Sequence, residues 1–86
     1  MPVSTMTIEE RIARVLAGRA ASVNAQGEDA SASREVDSTW RDYRKDAVAI
    51  LHTLREPDEA MAAAGDAQVW ARMVEAALAE ADAAAL

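Results

Sequence analysis

Alanine is the feature that most restricts this chain. Twenty-two of its 86 residues are alanine, phenylalanine is absent, and Trp40, Tyr43 and Trp70 are the only aromatic side chains. An alanine buries little area. At roughly 25 cal/mol per Å² of apolar surface, a core built mainly from alanine is weakly held. Eighty-six residues suit one domain with a thin core. Association with a second chain would add the missing burial, so a homodimer or a tight complex with another protein is expected.

The periodicity is helical. No run of β-branched residues alternates with period two, so no strand is expected. "TIEE" at Thr7–Glu10 fits a capping box, with Thr7 as N-cap and Glu10 at the third helical position. Glu9 and Glu10 sit in the first turn, where the helix dipole favours negative charge. Ile8, Ile12, Val15, Leu16 and Val23 then share one side. Gly18 weakens that helix by up to about 1 kcal/mol relative to alanine, and fraying is expected between Ala21 and Asn24.

Residues 24–38, "NAQGEDASASREVDS", carry a glycine, three serines, several acids and one large apolar residue, Val36; they read as a flexible loop. A second helix follows, capped by Asp37 or Ser38. Winding it at about 100° per residue separates three sectors. Trp40, Tyr43, Ala47, Ile50, Leu51 and Leu54 form an apolar stripe. Arg41, Arg44, Lys45, His52 and Arg55 form a basic stripe, and Asp42, Asp46 and Thr53 take the remaining side. Pro57 ends this helix, biasing Glu56 away from α geometry, and starts the next. "PDEAMAAAG" reads as a short helix with Gly65 as a positive-φ C-cap. Asp66 caps a last helix over about 67–84. Its broad apolar face holds Val69, Trp70, Met73, Val74, Ala77, Leu78 and Ala81, with Glu80 at the edge. The expected fold is an all-α bundle over residues 1–86, with three main helices, one short connecting helix, and 24–38 as the loop.

Composition excludes several functions. The chain has no cysteine, which removes disulfides and thiolate chemistry. No stretch approaches the roughly 18 apolar residues of a membrane span, and "MPVSTMTIEE" lacks the pattern of a signal peptide. A cytoplasmic protein is expected. The net charge is −6 and unevenly placed. Residues 1–36 carry five acids and four bases, and residues 37–55 carry three acids and four bases. Residues 56–86 carry seven acids against Arg72 alone. The C-terminal third therefore repels a phosphate backbone and suits a basic protein surface.

The individual candidates divide on the same grounds. His52 is the only histidine and has no partner at metal or catalytic spacing, so it reads as a surface residue near a helix C-terminus. Asp58 and Glu59 read as helix-start acids rather than a cation site, since no "DxDxDG" pattern surrounds them. Arg41, Arg44, Lys45 and Arg55 form a basic stripe that Asp42 and Asp46 can neutralise within the helix, which favours a solvated face over direct nucleic-acid contact. Trp40 and Trp70 lie on apolar stripes and read first as core, then as anchors of an interface. No phosphate-binding glycine loop, nucleophile elbow or metal-ligand cluster is present, so no cofactor, metal or enzyme activity is expected.

Residues 54–78, "LREPDEAMAAAGDAQVWARMVEAAL", resemble the C-terminal part of small proteins encoded by phages and prophages of alphaproteobacteria. The resemblance is carried by Leu54-Arg55-Glu56-Pro57, Met61, Ala64-Gly65, Val69-Trp70, Met73 and Ala76-Ala77-Leu78. It implies a non-catalytic protein-binding role. In its sharpest form this is an inhibitor of anti-CRISPR type, covering a basic nucleic-acid-binding surface of a host defence complex. Asp58, Glu59, Asp66, Glu75, Glu80 and Asp82 would carry recognition. The alternative is a small structural or regulatory adaptor that dimerises through the apolar faces around Trp40 and Trp70.

Overall fold

In the computed structural model, residues 2–24 and 29–84 are described, with the side chains of residues 23–32 outside that description. The fold is all-α, a small helical bundle with no strand among the described residues. Helix α1 spans Ile8–Asn24, α2 Asp29–Thr39, a 3-10 helix Trp40–Tyr43, α3 Arg44–Leu54, α4 Glu59–Ala64 and α5 Ala67–Ala84. No described helix is long and apolar enough to cross a membrane.

The expected starts at Thr7 and Asp66 form as read, and that of α4 shifts from Pro57 to Asp58, which is the N-cap rather than a first-turn residue. Thr7 Oγ1 accepts the Glu10 backbone N–H at 3.1 Å. The return half of the capping box is not made, because Glu10 turns to the Arg14 guanidinium at 2.8 Å. Asp58 accepts the Met61 backbone N–H at 2.9 Å and so starts α4. Asp66 accepts from Gln68 at 2.9 Å and Val69 at 3.1 Å to start α5. Each carboxylate satisfies donors that a helix N-terminus otherwise leaves open.

Three further expectations are corrected. Residues 29–39 of the expected loop form α2; residues 25–28 lie outside the described residues, as do the Val23 side chain and Leu86. The sequence of α2 is polar, and what holds it is packing on α1: the Arg14 guanidinium bridges to Asp37 at 2.9 Å, and Val36 joins the core cluster. Hydrogen bonds to Glu10 first and then to Asp37 raise the Arg14 pKa further, so both pairs keep their cation. Second, the helix after the expected loop does not begin at a side-chain cap. The Ser38 and Thr39 hydroxyls both donate back to the Glu35 carbonyl, a bond that competes with continued α-helix. The chain then tightens into the 3-10 helix before α3. Third, Gly65 has φ of −159°, so the left-handed cap is not used.

The core lies on an unexpected side of α1. Ala13, Ala17 and Ala21 are buried, together with Glu9. Val15 is 64% exposed, and Ile8, Ile12 and Leu16 are half-buried. The alanine stripe is roughly 130° round the helix from the larger aliphatics. Helix α2, the 3-10 helix and α3 all pack on α1, and alanine lets neighbouring backbones come close. Trp40, 8% exposed, supplies the bulk, in one cluster with Ala13, Ala17 and Ala47. No large side chain is completely buried among the described residues.

Candidate functional site

The basic stripe of α3 faces α5 across an open groove of about 680 Å³. Arg41, Arg44, Lys45 and His52 line it from the 3-10 helix and α3, beside the apolar Val48. Leu78, Ala81 and Asp82 line it from α5, and Glu9 from the start of α1. The 3-10 turn sets Arg41 over the Trp40 ring at 4.5 Å, with Arg14 also on that ring at 5.2 Å. A guanidinium on an indole face is attracted by the ring quadrupole and held in orientation. Arg44 is not a free cation. Its Nε donates to Glu9 Oε2 at 3.0 Å and its Nη2 to the Ala81 carbonyl at 3.4 Å. Glu9, 3% exposed, thereby receives the countercharge that its burial requires. This one arginine ties α1, α3 and α5 together.

Local neutralisation of the stripe by Asp42 and Asp46 does not occur. Neither carboxylate forms an ion pair among the described residues, and the partners come from other helices, Glu9 for Arg44 and Glu75 for Arg55 at 2.9 Å. Tertiary packing decides those pairings. Arg41 and Lys45 have no carboxylate within salt-bridge distance among the described residues. His52 is exposed, in the groove and beside Arg55 and Pro57 in an adjoining hollow. No group of acidic and histidine side chains among the described residues is placed to hold a metal ion.

The six acidic candidates are all exposed, yet they do not form one cluster. Asp58 and Asp66 spend one oxygen each on helix starts. Glu75 pairs with Arg55. Glu80 lines a second groove on the far side of α5, against the N-terminal segment, whereas Asp82 faces the basic groove. Glu59 stands in the first turn of α4.

The first reading of the tryptophans, as core, holds for Trp40. Trp40 is consumed by the chain's own core. Trp70 is half-buried, and its indole N–H donates to the Leu54 carbonyl at 2.6 Å. That bond satisfies a carbonyl left open at the end of α3 and pins α5 to it. Sequence reasoning missed Glu9 and the Ala81 carbonyl as parts of the groove. A first-turn glutamate already has a reason to exist, so nothing local marked Glu9 as buried.

Comparison of the chain with protein-family models, with characterised proteins and with solved structures finds no match.

Proposed function

We propose that this chain is a non-catalytic protein-binding module whose acidic α4–α5 arm engages a basic surface on a partner protein. One observation carries the reading. Helix α4 is formed and capped, yet it contains no buried residue. Most helical stability in proteins comes from burying an apolar face, and α4 has none to bury within this chain. It presents Met61, 40% exposed, beside Glu59 on an ordered surface. An apolar contact with an acidic surround matches a protein partner of opposite charge.

The sharpest version follows from the resemblance of residues 54–78 to small phage-encoded proteins. It is an inhibitor of anti-CRISPR type that occupies the surface a host defence complex uses for nucleic acid. The excess of acids over residues 56–86 supports that choice of partner, since such surfaces are basic. Direct binding of nucleic acid by this chain is disfavoured by the same charge.

The test uses acids that cap nothing. Glu59→Lys combined with Asp82→Lys is expected to weaken binding to a defence complex by about tenfold or more, and added salt is expected to weaken the native chain's binding. Affinity indifferent to both the double reversal and salt rejects the reading. Capture from host lysate followed by mass spectrometry identifies the complex to be measured.

A further inference from the structure

The groove on the far side of α5 is chemically unlike the acidic arm. It holds about 420 Å³ and is lined by Met6 and Ile8 before and at the start of α1, and by Met73 and Ala76 of α5. Met73 is 63% exposed. Val15, one helical turn beyond Arg11 on the same side of α1, extends the apolar surface. Two charges stand in the groove, Arg11 from α1 and Glu80 from α5, and neither has an ion-pair partner among the described residues.

We infer that a second copy of this chain covers this groove. Two arguments select that occupant. The first is area. The chain exposes 6441 Å², against about 4,900 Å² for a compact chain of its mass. Its Cα radius of gyration is 14.9 Å, against about 12 Å for a compact chain of its length. The surplus of roughly 1,500 Å² is spread over the whole chain, the exposed α4 included, and is large enough to supply the approximately 800 Å² per partner that a stable interface needs. The second is charge. A partner of one sign would set Arg11 or Glu80 against its own kind. A copy related by a two-fold axis can set Arg11 against the partner's Glu80, and the symmetry then sets Glu80 against the partner's Arg11. The inference is independent of the acidic-arm reading and uses the opposite side of α5 from Asp82. It moves the dimer contact away from the tryptophans, which the chain uses internally.

Sedimentation equilibrium of the full chain over a concentration series provides the test. The expected mass is twice the 9.2 kDa of one chain, falling toward one on dilution. Met73→Glu is expected to yield the single-chain mass with unchanged helical circular dichroism. Val15→Glu, on an exposed position of α1, is the second variant if Met73→Glu loses helicity. Arg11→Glu and Glu80→Arg are each expected to weaken association by about tenfold, and the double swap to restore it. A 9.2 kDa species at every concentration overturns the inference. So does a dimer that persists in the folded glutamate variants, or a double swap that stays as weak as the single changes.

Discussion

The body formed by α1, α2, the 3-10 helix and α3 differs from the α4–α5 arm in what holds it. In the body, helices close on an alanine stripe, Trp40 fills the remaining space, and the buried Glu9 is matched by Arg44. In the arm, α4 buries nothing and α5 buries only Val74 and Ala81. The arm is fastened at a few points, namely the Trp70 indole on Leu54, Arg55 on Glu75, and Arg44 on the Ala81 carbonyl. The same amino acid plays opposite parts. Alanine in α1 permits close approach from several elements at once, whereas alanine in α4 remains exposed. Burial depends on which partners arrive, so composition cannot distinguish the two.

The contrast is broken most directly at the tryptophans. Trp40→Ala removes the largest side chain of the core and is expected to cost about 3–5 kcal/mol, enough to unfold a small domain. Trp70→Phe removes one hydrogen bond to a carbonyl that water can reach, and is expected to cost about 0.5–1 kcal/mol. Urea titration of both variants reads the difference, and equal losses would show that the arm is as firmly built as the body. Arg44→Met is expected to have an intermediate effect, about 2–3 kcal/mol, because Glu9 stays buried without its cation. Thermal unfolding checks it, and a loss no larger than that of Trp70→Phe would mean that Glu9 is hydrated after the change. The smallest effect is expected at the glycines. A methyl group at Gly18 would sit 3.7 Å from Val36 Cγ2, an ordinary contact, and at Gly65 it would meet nothing within 4 Å. Gly18→Ala is therefore expected to stabilise by about 0.5–1 kcal/mol through helix propensity and a gained contact. Gly65→Ala is expected to be nearly neutral; a clear loss there, measured in the same titration, would imply a positive φ.

Much of the local structure was legible because its causes are local. Thr7 and Asp66 cap the helices assigned to them, and the helix before Pro57 ends at Leu54. Helix α2 was not legible, because its serines and acids favour helix weakly and its stability comes from α1, through Arg14 and the contact of Val36. The candidate site was legible in part. Arg41, Arg44, Lys45 and His52 of the basic stripe line one groove and Arg55 the adjoining hollow, but the countercharges of Arg44 and Arg55 come from Glu9 and Glu75, which lie 35 and 20 residues away in the chain. The acids expected to act together are divided between helix starts, an ion pair and two different grooves, because Asp58, Glu59 and Asp66 precede α5 and its turn of about 100° per residue sets Glu80 on the opposite side from Asp82.

By itself the sequence determined the helical class, the break at Pro57, two of the helix starts and the concentration of negative charge after residue 55. Each of these follows from bonds within a few residues or from counting charges. Only the tertiary structure decided that α1 buries its alanines in preference to its larger aliphatics, that Glu9 is buried against Arg44, and that the apolar side of α5 is left half uncovered. Those outcomes depend on how closely one helix can approach another. Small side chains permit a close fit on one side of α1, and the large ones that remain outside are left for another surface to cover.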